Sequence, residues 1–119
     1  DFDEALRLAD RIAIMKDGVI EQIDTPAKIV LHPATEYVAK FTREVPREKV
    51  LTCGNVMEPV PDSGEFSDLK VPQDAIIETV AAALLTENKP VQVVDGNNRI
   101  VGVLNHATTI NILFGKRDA

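Results

Sequence analysis

Between Pro90 and Leu104 the chain reads Pro-Val-Gln-Val-Val-Asp-Gly-Asn-Asn-Arg-Ile-Val-Gly-Val-Leu. Two apolar runs, Val91–Val94 and Ile100–Leu104, flank the cluster Asp95-Gly96-Asn97-Asn98. β-Branched residues bounded by Gly, Asn and Asp predict a β-hairpin. A helical pattern precedes it over Asp74–Glu87, and a shorter one follows over His106–Phe114. Helix, hairpin, helix is the one complete structural unit legible in the sequence, and it predicts a mixed α/β (α+β) fold.

The first of these helices is expected to start at Asp74 or a neighbour as cap. Its apolar face would be Ala75, Ile76, Val80, Ala83 and Leu84, and Asn88 is a plausible stop. The last helix would turn Ala107, Ile110, Leu113 and Phe114 to one side. Gly115 suits its end, and Lys116 and Arg117 complement the negative pole of its dipole. Upstream, Leu69-Lys70-Val71 reads as a short strand and Asp62–Asp68 as a loop. Val50 to Pro61 carries Val50, Leu51, Val56 and Met57 before Pro59 and Pro61 break it.

Residues 1–45 differ in character. Phe2, Ala5, Leu6 and Ala9 recur at helical spacing, with Asp1, Asp3 and Glu4 in the first turn, where the dipole favours acids. The chain thus opens inside a helix and reads as a cut end. Two short apolar runs then flank Lys16-Asp17-Gly18, a strong hairpin signal. Thr25 is the expected N-cap of a helix with Pro26 at its first position, Ile29 and Val30 on its apolar face, and His32-Pro33 at its end. Ala34–Thr42 offers Tyr37, Val38 and Phe41 for a further helix. These few residues cannot enclose a core, so 1–45 reads as the last portion of a larger domain. Arg43–Lys49, charged and interrupted by Pro46, reads as a linker, which puts a second domain at 46–119.

Composition narrows the function. The chain has 119 residues, 45% of them hydrophobic and 27% charged, which suits a folded domain rather than a disordered segment. No apolar run approaches the roughly 20 residues needed to span a bilayer. Residues 1–45 hold nine acids and six bases, and 46–119 hold ten and seven. Both parts are therefore net acidic, with no basic stripe to attract a phosphate backbone, and Trp is absent, so nucleic acid is not an expected partner. One cysteine, Cys53, cannot form an internal disulfide, and a reduced compartment is the expected setting.

Catalytic signatures are missing. The sequence has no Gly-x-x-x-x-Gly-Lys-[Ser/Thr] phosphate loop, no Gly-x-Gly-x-x-Gly and no Gly-x-Ser-x-Gly. His32 and His106 lie 74 residues apart without a Cys or His partner at metal spacing, so no metal site is expected. Asp3 and Glu4 read as a helix start rather than as an acid/base pair. On its own residues the chain should not catalyse a reaction.

The run Asp1-Phe2-Asp3-Glu4-Ala5-Leu6-Arg7-Leu8-Ala9-Asp10-Arg11-Ile12-Ala13-Ile14-Met15-Lys16-Asp17-Gly18 resembles the segment after the switch histidine of ABC-transporter ATPases. The resemblance continues through Val19–Ile29, His32-Pro33 and Tyr37-Val38-Ala39-Lys40-Phe41, to about residue 43. Within that class it is most similar to the ATP-binding subunits of glycine betaine/proline osmoprotectant importers. The family's phosphate loop, signature motif, catalytic glutamate and switch histidine would all lie before Asp1. The resemblance therefore implies ATP and Mg chemistry, and membrane permease partners, for a longer parent at the inner face of the cell membrane. For this chain it implies no ATP site and no bound cofactor, with Asp3, Glu4 and Arg11 in structural roles.

Residues from about 50 to 115 resemble a single CBS motif, the small α/β repeat named after cystathionine β-synthase. Val56-Met57-Glu58-Pro59 is similar to its opening segment, Asp74–Glu87 to its first helix, and Lys89–Asp95 with Arg99–Leu104 to its hairpin. Importer ATPases of this type carry CBS motifs after the ATPase domain. Such motifs work in pairs, and only one is visible here. The resemblance thus implies a homodimer, with Val91, Val93, Ile100, Val103, Ile110 and Phe114 as candidate interface residues. It also implies a regulatory role, the unit sensing ionic strength or a nucleotide, or else a purely structural dimerisation role without ligand.

In nucleotide-binding members a Ser/Thr-x-x-Asp sequence at the last helix holds the ribose. Here the matching positions read Asn105-His106-Ala107-Thr108. Val91, Asn105, His106 and Thr108 are the candidate contacts for an adenine nucleotide. Asn105 replaces the hydroxyl residue and Thr108 the carboxylate. The competing reading makes Asn105 a helix cap.

Overall fold

The structure, a computed structural model, describes residues 2–115. These fall into two units that divide between Val50 and Leu51.

In the first unit, helix α1 (Phe2–Leu8) leads into an antiparallel ribbon of β1 (Ile12–Lys16) and β2 (Val19–Asp24). Asp17 and Gly18 both take positive φ, +51° and +79°, the geometry of the tight two-residue turn whose twist matches the strands it joins. Helix α2 (Pro26–Leu31) starts as its sequence dictates: the Thr25 hydroxyl accepts from the Lys28 N–H, and Pro26 occupies the first turn. It stops at His32, which precedes Pro33 and leaves helical geometry with ψ +62°. Helix α3 (Glu36–Thr42) begins two residues later than its apolar spacing suggests. Thr35 is the reason, because its hydroxyl caps the Val38 N–H. Asp1 lies outside the described residues.

Leu6, Ile14, Ile29, Val30, Val38, Val45 and Val50 are buried together. The unit therefore gathers a small core, although the sequence reading denies it a closed one. Val45 lies in the stretch Arg43–Lys49 that reads as a linker and Val50 directly follows it, with Arg47–Lys49 between them forming a 3-10 turn. Buried valines at both ends hold that segment, which is why the division falls after Val50. Much of the ribbon's apolar surface stays open: Met15, Val19, Ile20 and Ile23 are all exposed.

In the second unit α4 (Cys53–Val56) opens with a reciprocal capping box between Thr52 and Asn55. Strand β3 (Lys70–Pro72), helix α5 (Ile77–Leu85), strands β4 (Val91–Val94) and β5 (Ile100–Leu104), and helix α6 (His106–Phe114) follow. The sheet order is β3-β4-β5, with β3 parallel to β4 and β4 antiparallel to β5. A helix between parallel strands and a tight loop between antiparallel ones is what each pairing requires. The hairpin expected at Pro90–Leu104 is therefore present. Its loop is shaped by Asp95, whose Oδ1 accepts from the N–H groups of Asn97 and Arg99, while Asn98 rather than Gly96 takes the positive φ, +63°.

Two expectations for α5 fail for one reason. The helix starts at Ile77, not Asp74, and its cap residue Ile76 offers no side-chain bond. Backbone pairing claims the residues before it: Cys53 donates to the Ala75 carbonyl, Ile77 donates to Leu51, and Thr52 bridges Ile76. The covered stripe is consequently Ile77, Val80, Ala81 and Leu84, and Ala83 is exposed. The helix ends at Leu85 with Thr86 as C-cap, three residues before Asn88.

The core of this unit comprises Leu51, Cys53, Val56, Val71, Ile77, Val91, Val93, Val103, Leu104 and Leu113. Gly102 lets the preceding segment cross β5 closely. A Cβ there would lie 2.5 Å from Met57 Sδ and 2.9 Å from the Glu58 carbonyl. Glu58 and Val103 exchange backbone hydrogen bonds at that crossing.

Candidate functional site

The corner where β5 hands over to α6 holds every residue singled out for nucleotide contact. Val91 pairs with Leu104 at one end of the hairpin, and Asn105-His106-Ala107-Thr108 follow directly. The sheet thus brings the four candidates to one end of the unit, but it does not turn them to one cleft. Val91 is 2% exposed, its side chain committed to the core. The Asn105 carboxamide oxygen accepts from the Ala107 N–H at 3.1 Å and the Thr108 N–H at 3.5 Å. Asn105 is thus the N-cap of α6, satisfying amides that the first turn leaves without helical partners. His106 and Thr108 are exposed.

A wide groove of about 610 Å³ runs beside the same corner, on the outer side of α6. His106, Ala107, Ile110, Asn111, Phe114 and Gly115 line it, so of the four nucleotide candidates only His106 reaches it. Ala107, Ile110, Leu113 and Phe114 recur at three- and four-residue spacing, the face expected to lie on one side of α6. Of that face the fold buries only Leu113, with Thr109 beside it, and leaves Ile110 and Phe114 38% and 64% exposed. Helical periodicity identifies apolar faces but does not say which of two adjacent stripes meets the sheet. Lys116 and Arg117, expected to complement the helix end, lie outside the described residues.

The candidate interface residues divide in the same way. Val91, Val93 and Val103 were expected to need a second chain to cover them. They are instead 2%, 0% and 4% exposed within the single chain. A two-stranded hairpin alone would leave them bare. The third strand and the segments that precede it change that. Ile100 at 46%, Ile110 and Phe114 remain accessible, and Leu85 at the end of α5 joins them at 59%.

The remaining chemistry is quiet. Cys53 is free and fully buried, and burial pushes its thiol up from 9.0 to about 11. It is therefore a core residue rather than a nucleophile. Among the described residues no group of three His, Cys, Asp or Glu side chains could hold a metal ion, and no helix is long and apolar enough to cross a membrane. In the first unit a small cleft of about 140 Å³ lies among Asp3, Arg7, Val45, Pro46, Lys49 and Val50, with charges of both signs.

Two residues that sequence patterning passes over carry much of the polar organisation. Gln22 is 8% exposed. Its amide nitrogen donates to Asp24 Oδ2 and the His32 carbonyl, and its oxygen accepts from the Ala34 N–H at 2.8 Å. There is little sequence signal, since Gln22 sits in a strand, Val-Ile-Glu-Gln-Ile-Asp, where polar residues are common. Ser67, 6% exposed, does the equivalent in the second unit, and its loop context gives no signal.

No family model matches the chain. Individual relatives do. The chain is 60% identical over 116 residues to the trimethylamine N-oxide transport system ATP-binding protein TmoW of Pelagibacter ubique, covering 98% of this chain and 34% of that protein. The TmoW of Ruegeria pomeroyi is 42% identical over 114 residues, 96% of this chain and 33% of that protein. The glycine betaine transport ATP-binding protein OpuAA of Bacillus subtilis is 55% identical over 58 residues, 49% of this chain and 14% of its own length. The chain spans about a third of the length of the first two relatives. It belongs with the ATP-binding subunits of betaine- and trimethylamine N-oxide-type ABC importers, whose C-terminal part it matches.

Proposed function

We propose that this chain is the regulatory and dimerisation segment of the ATP-binding subunit of an osmoprotectant importer. In this reading residues 1–45 close the ATPase domain, and 46–119 form a CBS motif with its linker. The whole subunit hydrolyses ATP with Mg at the inner face of the membrane, against permease subunits, and the segment itself has no catalytic role. The observation that carries the reading is the end-to-end likeness to TmoW, which runs through both units without a break in coverage. The relatives' names widen the cargo beyond glycine betaine and proline. Trimethylamine N-oxide and glycine betaine share a methylated, cationic nitrogen paired with a negative oxygen, and the importer's solute is drawn from that class.

A specific observation favours the ligand-free form of this role. Asn105 spends its side-chain oxygen on capping α6, and Val91 is buried, so two of the four candidate nucleotide contacts are already engaged. The unit then joins two subunits without reading a nucleotide. Titration calorimetry of the chain with ATP, AMP and cyclic di-AMP tests this. No heat at ligand concentrations up to the millimolar range is expected. Micromolar binding of any of the three would assign the corner to nucleotide sensing instead.

A further inference from the structure

We propose that Pro59–Asp68 is a polar strap that holds β3 against β4, and that Ser67 is its latch. Strand β3 is three residues long, ends in a proline and lies at the edge of the sheet. So short an edge strand contributes few ladder bonds and cannot hold its place alone. The segment before it has no helix or strand, and Pro59–Glu65 are exposed. Ser67 is the one buried residue in the strap.

Four hydrogen bonds converge on Ser67. Its hydroxyl donates to Glu87 Oε1 and accepts from the Leu69 N–H. Its backbone N–H donates to the Pro90 carbonyl at 2.9 Å, and its carbonyl accepts from Gln92 Nε2 at 2.8 Å. A second tether, Lys89 to Glu65 at 3.1 Å, is solvent-exposed and therefore weak. Apart from Leu69, these partners lie within 87–92, the joint between α5 and β4. The closure is thus polar, and segments closed by few apolar contacts open at lower free energy than the core. When Ser67 lets go, Leu69 loses its amide partner and the start of β3 loosens, while buried Val71 and the Gln73–Val94 bond keep its far end in place. The parallel edge of β4 is then uncovered at Val91 and Gln92. The β4–β5 ladder and the Glu58–Val103 crossing use none of these bonds and stay closed.

Amide hydrogen exchange on the whole chain tests the assignment, comparing the native protein with Ser67→Ala and with Glu87→Gln, which keeps the side chain's shape. The amides of Ser67, Leu69 and Gln92 should exchange roughly tenfold faster in Ser67→Ala, and faster also in Glu87→Gln, while Val103 and Glu58 hold their native protection. Unchanged exchange at Ser67, Leu69 and Gln92 in both variants would overturn the latch. So would acceleration spread equally to Val103 and Glu58, since the strap would then not open as a separate unit.

Discussion

Gln22 and Cys53 are buried groups with opposite demands. Gln22 brings a polar amide into the first unit and satisfies it by bonding Asp24, His32 and Ala34, which pins the α2–α3 connection to β2. Gln22→Ala removes a buried amide and the three hydrogen bonds it makes, worth about 0.5–1.5 kcal/mol each. Urea unfolding should show that loss, and Gln22→Glu should recover the acceptor for Ala34 but not the two donations. Cys53 is satisfied by being neutral. The folded thiol holds its proton up to about pH 11, whereas an unfolded one releases it near 9.0. Its contribution to stability is therefore complete below pH 9 and is lost as pH rises toward 11. Labelling by a thiol reagent at pH 8 should be negligible in the native protein and fast in urea. Fast native labelling would contradict the burial. Neither role is visible in sequence beyond residue type. A lone Cys gives no context, and Gln22 lies between Glu21 and Asp24 with nothing in the pattern to mark it as the buried one.

At the scale of elements, what sequence could and could not decide follows from how local the causes are. The Asp17-Gly18 turn, the Thr25-Pro26 start of α2 and the β4–β5 hairpin are set by residues adjacent in the chain, and all are legible. The start of α5 is not, because Leu51 and Cys53, over twenty residues upstream, capture the backbone at Ala75 and Ile77. The buried stripe of α6 is legible only at Leu113, because Thr109 rather than Ile110 is buried beside it. That choice is made by how the helix leaves β5, not by its own periodicity. The Asn105 corner was legible in both its readings, and the cap bonds decide its structural part. Asn105→Ala should cost about 1 kcal/mol through the lost cap, and Asn105→Ser should restore most of it, by thermal unfolding. A loss near zero in Asn105→Ala would mean that the first turn of α6 finds its partners elsewhere.

At the scale of the whole molecule, each unit leaves apolar surface uncovered. In the second unit that surface is largely helical: Ile110 and Phe114 on α6 and Leu85 at the end of α5 are exposed, and Glu78 is the one charged residue within these two helices. A chain of net charge −6 associates with a copy of itself most readily where charge is absent. The proposed dimer therefore uses the exposed apolar residues of α5 and α6, not the valines of the hairpin, which the chain buries by itself. Likeness to importer ATPases identifies the kind of subunit, and the uncovered helices say how two copies would meet. Light scattering of the chain at micromolar concentration measures this directly, with Phe114→Glu as the control. A dimeric mass that falls to the monomer in Phe114→Glu is expected. A monomeric mass in the native chain, or a dimer indifferent to Phe114→Glu and Ile110→Glu together, would contradict it.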